Sequence, residues 1–371
     1  MVVYSFIVYH SSHQAEILAF KVRGKDFPYP QKIISDLCNV MNNQNKVHLY
    51  DVKRLTGVAI LLVVMGHLAT GNAVYTKGME WYKFFSFLIY SFHMPLFMFI
   101  SGFIFYYTYP GINQFSEYKQ FVKKRFIRLA PSYILFASII FSSKIILESV
   151  FIIDNPVKSF QSFFEVFYKP TQSYAGFLWY VYVLFEYCLV MPILVKLTNN
   201  RIGLILIASI PLHFLRVTNL LDLNFFLQFL FFFVFGIYAA KNISKYYEII
   251  DAYRMIFILV FGISLIAFFY MPVPKIIMGI ISIPAIHSLV RFDRSEKNNM
   301  LWTLGHFTFS IYLMNTLVGG FVKAIGFKFF NWSYSSFYFP AIVMILSMLI
   351  VPIFLKKYII NKIPIIQKYV G

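Results

Sequence analysis

The chain has 371 residues, of which 59% are hydrophobic and only 13% are charged. Soluble globular domains are about half apolar and about a quarter charged, so this composition excludes an ordinary soluble protein and a disordered chain. The 33 Lys and Arg residues outnumber the 15 Asp and Glu residues, but they lie between apolar segments rather than in one dense stripe. This distribution argues against a nucleic-acid-binding protein and indicates an integral membrane protein.

The first 45 residues differ from the rest of the chain. Residues 1–45 are polar, contain Phe27-Pro28-Tyr29-Pro30 and predict no membrane span. Met41 opens a polar sequence that is typical of a short leader before a first membrane helix. We expect this segment to be either a cytoplasmic extension or a stretch upstream of the natural translation start. It precedes a predicted transmembrane domain at residues 46–358, which a short basic tail at 359–371 follows.

Long apolar runs fill the predicted transmembrane domain. A helix needs about 20 residues to cross the hydrocarbon core of a bilayer. Ten apolar runs of roughly this length lie at 55–74, 84–107, 130–151, 176–197, 202–217, 223–240, 254–271, 273–290, 301–322 and 337–356. We therefore predict an all-α, polytopic membrane protein of about ten transmembrane helices.

The loops between these runs carry an uneven charge. If the N-terminus is cytoplasmic and each run crosses once, the inside segments hold about twice as many Lys and Arg residues as the outside segments. Cytoplasmic loops are enriched in these residues, so the pattern predicts a multi-pass protein of the cell's inner (cytoplasmic) membrane with both termini in the cytoplasm.

Two histidines lie within the first two predicted spans. An ionisable side chain in the middle of a span costs about 2.5–3.5 kcal/mol, so His67 and His93 need a specific reason to be there. The predicted orientation places both in the outer half of the membrane, where they could face one cavity. Histidine can accept a proton from a hydroxyl at neutral pH, so both are candidates for general-base catalysis. The alternative is that each is separately hydrogen-bonded in the core.

A carboxylate near such a histidine would orient it and stabilise its charged form. Within the spans the candidate is Glu186, which follows the aromatic sequence that begins with Trp179 and Tyr180. We expect these three residues, together with Ser101 and Asn315, to lie in orienting positions or on the acceptor side of the site. Glu186 could equally be a packing residue that burial keeps neutral, and Asp51 is a second carboxylate at the start of the first span.

A basic segment precedes the third run. Arg125 and Arg128 are three residues apart and share a face on a helix, with Lys124 beside them. Arginine forks suit phosphate oxygens, so the three residues are candidates for binding a phosphorylated ligand. The alternative is a topological anchor that contacts lipid headgroups.

Small residues interrupt the aromatic second run at Ser101 and Gly102, which favours a close approach between helices.

The sequence has no GxSxG elbow of a serine nucleophile and no phosphate-binding glycine loop. It also has no HExxH pair, so it gives no reason to predict a metal.

Five motifs occur in an order that is similar to a known family. They are His67 at the end of a basic-led first helix, Phe92-His-Met-Pro-Leu-Phe-Met-Phe-Ile-Ser-Gly-Phe103, Lys124-Arg-Phe-Ile-Arg-Leu-Ala-Pro131, Leu178-Trp-Tyr180 and Leu304-Gly-His-Phe-Thr-Phe-Ser-Ile-Tyr-Leu313. Together they resemble the acyltransferase-3 family of integral membrane O-acyltransferases, over about residues 47–355.

The resemblance implies an enzyme that takes an acyl group, usually acetyl, from cytoplasmic acyl-CoA. The group would pass to a hydroxyl of a sugar or glycolipid acceptor, such as a cell-surface polysaccharide or its lipid-linked precursor. His67 corresponds to the family's essential histidine and His93 to its second-helix histidine, while Arg125 and Arg128 correspond to arginines that hold the donor's phosphates. It implies acetyl-CoA as a substrate rather than a tightly bound cofactor, and other envelope polysaccharide-synthesis proteins as candidate partners beside the lipid bilayer.

Three departures from the family pattern matter. Thr56 occupies the position of a basic residue eleven before His67, although Lys53 and Arg54 lie nearby. Asn315 replaces the histidine of the last motif; it can hydrogen-bond but cannot carry a proton. No hydrolase-like domain follows the last run, which implies transfer by this chain or with a separate partner.

Two other classes of protein remain open at this point. A glycolipid transporter or flippase would also use aromatic-rich spans and cavity-facing ionisable residues, but it would not need a CoA-binding arginine pair. A catalytically inactive relative would explain Thr56 and Asn315.

Overall fold

The computed structural model describes residues 50–68, 80–109, 111–151, 153, 155–271, 273–292, 299–330, 332, 338–363 and 367. Within these ranges the secondary structure is helical, and they contain no β-strand. The predicted extension at 1–45 lies outside the described residues, as does most of the predicted tail. The location of the termini stays a prediction.

The helices follow the predicted runs closely. They are α1 (50–66), α2 (Glu80–Thr108), α3 (Phe115–Leu147), α4 (Glu165–Tyr168), α5 (Trp179–Leu197), α6 (Ile202–Phe214), α7 (Leu223–Lys241), α8 (Ile243–Ala252), α9 (Arg254–Tyr270), α10 (Lys275–Phe292), α11 (Met300–His306), α12 (Thr308–Phe329) and α13 (Tyr338–Tyr358). Short 3₁₀ turns at Phe160–Phe164, Pro170–Gln172, Gly176–Leu178, Leu220–Asp222 and Ile360–Lys362 complete the described fold.

The all-helical membrane fold is confirmed, with a smaller number of long spans than the predicted ten. Among the described residues, seven helices are long and apolar enough to cross a membrane, or eight if α8 and α9 form one bent span. The predicted runs at 55–74 and 202–217 do not reach this length: the described part of the first helix ends at residue 66, and α6 has 13 residues.

The bend between α8 and α9 is 71°. Residue 253 separates the two helices, and α8 buries Tyr246, Tyr247 and Ile250 while it exposes Lys245 and Glu248. This pattern makes α8 an amphipathic helix, so it was not visible as an apolar run. Only α9 was predicted, as the run at 254–271.

Two glycines bring α2 and α7 together at the centre of the fold. A Cβ atom on Gly102 would lie 1.8 Å from the carbonyl oxygen of Phe233, and one on Gly236 would lie 1.9 Å from that of Phe99. No side chain fits at either position, so the two backbones are in direct contact. The small residues predicted for close helix approach do serve this purpose, and α2 becomes a fixed support for the site beside it.

Candidate active site

His67 follows directly on α1, and its side chain contacts α12. Its backbone N–H donates to the carbonyl of Val63 at 3.0 Å, which continues the helical turn. Its Nδ1 lies 3.0 Å from Oδ1 of Asn315 and 3.4 Å from Oγ1 of Thr316. His67 and Asn315, which the sequence pattern singled out separately, are thus hydrogen-bonded although 248 positions separate them in the chain.

The hydrogen bonds of Asn315 determine which ring nitrogen of His67 is basic. Its Nδ2 donates to the carbonyl oxygens of Ile311 at 2.9 Å and Tyr312 at 2.7 Å, so Oδ1 is the atom that faces the histidine. An amide oxygen can only accept, and therefore Nδ1 of His67 carries the proton. The lone pair is left on Nε2, which is the arrangement that a general base needs.

Hydroxyl groups from α2 hold the end of α1 in place. Tyr82 donates to the carbonyls of Met65 at 2.9 Å and Gly66 at 3.0 Å, and Ser86 donates to that of Gly66 at 3.2 Å. The last carbonyls of a helix have no partner within it, so these donors satisfy groups that would otherwise need water. They also fix the backbone immediately before His67.

His93 lies close to His67 but has its own hydrogen bond. It is 1% exposed, and its Nδ1 lies 2.8 Å from the carbonyl oxygen of Ile89 in the same helix, to which it donates. Tyr90 stands between the two histidines, with its ring centre 6.2 Å from that of His67 and 4.8 Å from that of His93. The structure brings both histidines to one region, joined through an aromatic ring that the sequence analysis did not consider.

Ser101 and Tyr180 form a second polar contact on the same side of α2. The hydroxyl of Ser101 donates to the carbonyl of Phe97 at 2.8 Å, so Tyr180 must donate to Ser101 across 2.6 Å. The ring of Tyr180 packs edge-on against Tyr312 at 5.2 Å, and the Tyr312 hydroxyl donates to the carbonyl of Phe177. Because Tyr312 lies one turn before Asn315, this contact connects Ser101 and Tyr180 with the helix that orients His67.

Trp179 lies apart from this polar group. Its ring packs on Phe225 at 4.7 Å and on Phe229 at 5.3 Å, which joins α5 to α7. In the structure it is a packing residue at the edge of the region.

Glu186 does not orient either histidine. It is half-buried, and no hydrogen bond or ion pair within the described chain joins it to His67 or His93. Its Oε2 is buried without a hydrogen-bond partner among the described residues. Of the candidates for an orienting position, it is Asn315 that is hydrogen-bonded to His67.

Arg125 and Arg128 share the inward side of α3. Arg125 donates from Nη2 to Oγ1 of Thr108 at 2.5 Å, and its guanidinium lies 5.0 Å from the ring centre of Phe121. Both arginines are half-buried. Lys124 lies on the other side, where it is exposed, so the structure separates it from the arginine pair.

A buried ion-pair network at the start of α1 was not predicted. Asp51, which is 4% exposed, accepts from Arg291 at 2.7 Å, and the same guanidinium donates to Asp251 at 2.7 Å. Arg254 donates to Asp251 at 2.9 Å, and Tyr247 donates to Asp51 at 3.2 Å. Nε2 of His287 also lies 3.6 Å from the Asp51 carboxylate. The network connects α1 with α8, α9 and α10, so Asp51 joins helices of the fold rather than orienting His67 or His93.

The short helix α11 packs tightly on the same part of α1. A Cβ atom on Gly57 would lie 2.0 Å from the carbonyl oxygen of Leu301, and one on Gly305 would lie 1.9 Å from that of Lys53. Thr56 donates to the carbonyl of Val52 at 2.8 Å, within its own helix. The basic residue expected at position 56 is absent, and Lys53 supplies a positive charge one turn earlier.

Comparison with known proteins identifies the family. Residues 50–356 match the profile of the acyltransferase-3 family, described as an acyltransferase domain. The chain belongs to the acyltransferase-3 family. It therefore contains an acyltransferase domain built of apolar helices, as the sequence resemblance predicted, and a domain of this family requires an acyl donor and an acceptor.

A curated relative gives a weaker likeness. The chain is 25% identical over 209 residues to the nodulation protein NolL of Mesorhizobium japonicum, which is 56% of this chain and 52% of the relative. The match thus spans about half the length of that protein. No solved structure matches the chain. Within the described residues, no group of three or more His, Cys, Asp or Glu side chains could hold a metal ion.

Proposed function

We propose that this acyltransferase is an O-acyltransferase of the inner (cytoplasmic) membrane. It would transfer an acyl group, in the first instance acetyl, from cytoplasmic acyl-CoA to a hydroxyl of a cell-surface polysaccharide or its lipid-linked precursor. The observation that carries the proposal is the pairing of His67 Nδ1 with Asn315 Oδ1 at 3.0 Å. It leaves a basic imidazole nitrogen in the chain of an acyltransferase.

The reaction follows from that geometry. Nε2 of His67 accepts the proton of the acceptor hydroxyl while the hydroxyl oxygen attacks the thioester carbonyl of the donor. The carbon–sulfur bond then breaks, and the imidazolium returns the proton to the departing thiolate of CoA. Asn315 holds the ring in one tautomer throughout, although it stabilises the imidazolium less than a carboxylate would. Tyr90 and His93 would border the reacting groups.

Arg125 and Arg128 are the candidates for binding the phosphates of the donor. Two half-buried guanidinium groups on one helix face form a positive surface that suits a diphosphate. In the predicted orientation the two arginines lie near the cytoplasm. A helix rises 1.5 Å per residue, so His67 lies about 18 Å farther along the axis of α1 than Leu55. The extended pantetheine arm of CoA has about the same length, so phosphates held on the cytoplasmic side can present the thioester to His67.

The acceptor would reach the histidine from the opposite side of the membrane. Ser101 and Tyr180 are hydrogen-bonding groups beside α12 that could contact a sugar, with Trp179 and Glu186 farther along α5. Other envelope polysaccharide-synthesis proteins are candidate partners because they would supply such an acceptor.

The test replaces His67 with alanine in cells that make the acceptor. Loss of a general base lowers the rate about 10²–10⁴-fold, so the mass of one acetyl group per repeat should disappear from the surface glycan. His213→Ala is the control, because His213 is a buried histidine of another helix whose Nδ1 is hydrogen-bonded to the carbonyl of Gln228 on α7.

Two results would contradict the proposal. Wild-type acylation by a well-expressed His67→Ala protein would show that His67 is not the general base. A glycolipid transporter, the competing function, would leave the mass of the glycan unchanged when the gene is deleted and would alter only its amount at the surface.

A further inference from the structure

Lys356 is a buried cation at the end of α13. Its relative exposure is 8%, whereas the next residue, Lys357, is exposed. Its Nζ is buried and has no hydrogen-bond partner within the described part of the chain. A buried ammonium group without an acceptor is costly, so such a group indicates a missing negative partner.

Two other nitrogen-bearing side chains lie at the same end of the fold as Lys356. Gly319 of α12 packs against Met348 of α13, so the last turn of α13 lies near the start of α12, which directly follows His306. Nζ of Lys53 is 3.1 Å from Nδ1 of His306 and 4.4 Å from the ring centre of Trp302. Burial, followed by the positive charges of Lys53 and Lys356, lowers the pKa of His306 to about 4. His306 thus contacts Lys53 and is within electrostatic range of Lys356, and it is neutral at physiological pH.

The protonation of His306 follows from its contact with Lys53. An ammonium group can only donate, so Nδ1 of the neutral imidazole accepts and Nε2 carries the proton. The three side chains therefore offer N–H donors, two of them positively charged. Trp302 stacks on His306 with the rings 5.5 Å apart, and Gly305 holds α11 against α1, so the imidazole has a fixed position.

We propose that Lys53, His306 and Lys356 form a binding site for a phosphate group. Phosphate oxygens accept several hydrogen bonds at once and carry the negative charge that the buried Lys356 ammonium lacks among the described residues. The site is separate from the Arg125 and Arg128 pair on α3. This inference rests on the proposed function, because acyl-CoA carries two phosphate groupings, a diphosphate and a ribose 3′-phosphate, that two cationic sites can bind together.

The phosphate group could come from the donor or from a lipid headgroup. Lys356 faces the interior of the bundle, and Lys357 is the neighbouring residue that reaches outward. An inward-facing ammonium favours the nucleotide part of the donor.

The test measures binding of adenosine 3′,5′-bisphosphate to the purified full-length protein in a neutral detergent. Lys356→Met keeps the length of the side chain and removes the charge, and its dissociation constant should rise about tenfold or more, as for a lost charge-assisted hydrogen bond. Lys357→Met makes the same change one residue away and should leave binding within about threefold, the effect of an exposed charge. A second arm compares thermal midpoints in nanodiscs with and without phosphatidylglycerol.

Each outcome decides the matter. Weaker bisphosphate binding in Lys356→Met alone supports a nucleotide site, and loss of the phosphatidylglycerol effect alone supports the same phosphate site occupied by a headgroup. If Lys356→Met equals wild type in both arms, there is no phosphate site at Lys356.

Two further measurements guard against misfolding and separate the proposals. Lys356→Met removes an uncompensated buried charge, so it should not lower the thermal midpoint of the ligand-free protein. If Lys356→Met does not fold, Lys53→Met takes its place and should weaken the binding of adenosine 3′,5′-bisphosphate. If the wild type binds bisphosphate through Lys356 but transfers no acyl group, the proposed function fails and the site stands. If acylation proceeds while Lys356→Met binds bisphosphate like wild type, the site fails and the function stands.

Discussion

The contact between Asn315 and His67 allows the proposed mechanism to be tested without removing the base. Asn315→Ala deletes the acceptor at 3.0 Å from Nδ1, while the hydroxyl of Thr316 lies farther from that nitrogen, at 3.4 Å. The ring can then turn or adopt the other tautomer, in which Nε2 carries the proton and cannot accept one.

The size of the effect follows from the bond that is lost. A neutral hydrogen bond contributes about 0.5–1.5 kcal/mol, and each 1.36 kcal/mol changes a rate about tenfold. With the loss of the fixed tautomer added, we expect kcat to fall about five- to twentyfold. This is far less than for His67→Ala, because the base itself remains.

The assay is acyl transfer by the purified protein in proteoliposomes, with acetyl-CoA and acceptor varied separately. A positioning role lowers kcat and leaves the KM for acetyl-CoA unchanged, whereas general damage to the fold changes both. Thr316→Val is the control and should stay within about threefold of wild type, since its hydroxyl is at the limit of hydrogen-bond distance. A wild-type kcat in Asn315→Ala would refute the assignment of the tautomer.

Three other predictions concern the donor, the topology and pH. Replacing both Arg125 and Arg128 with Gln should raise the KM for acetyl-CoA about tenfold or more, and the wild-type affinity should fall with salt. Gln120→Cys should react with a membrane-impermeant thiol reagent only from the cytoplasm, and Lys158→Cys only from outside. The pKa of His306 is about 4 in the folded chain, below its ordinary value of 6.5. The unfolded chain therefore binds a proton first, and the thermal midpoint should fall as pH drops from about 6.5 towards about 4, less so in His306→Gln.

Each of these experiments has a control and a contrary result. Lys123→Gln removes an exposed charge next to the arginine pair and should leave the KM unchanged; an equal effect in both variants would make the pair a membrane anchor. Reversed labelling of Gln120→Cys and Lys158→Cys would overturn the orientation. An identical pH dependence in His306→Gln and wild type would show that His306 does not contribute to it.

Long apolar runs made most of the fold predictable. The runs at 84–107 and 176–197 correspond to α2 and α5 almost residue for residue, because a helix in lipid must be apolar along its length. The helix α8 was missed since its polar side faces out, and its Asp251 pairs with Arg291 of a distant helix. An ion pair between residues of distant helices leaves no pattern in the local sequence.

The sequence named candidate residues for the site but not the contacts between them. It offered both Glu186 and Asn315 for orienting or acceptor-side positions, and it is Asn315 that is hydrogen-bonded to His67. Which side chain meets the imidazole depends on how α12 packs against α1, across 248 positions. Tyr90 could have been found, because it precedes His93 by three residues and so lies on the same helix face.

The salt bridge between Asp51 and Arg291 can form only late in the synthesis of the chain. The two residues are 240 positions apart, so Asp51 leaves the ribosome long before its partner exists. Chain synthesis proceeds at about 5–20 residues per second, so the Asp51 carboxylate is without Arg291 for on the order of 10–50 s. Asp51 lies in the first turn of α1, where a membrane helix meets water, and it can stay hydrated during that interval. The same charge placed mid-helix would have to cross lipid unpaired, so the position of Asp51 lets the first helix insert early and be locked only when α10 arrives.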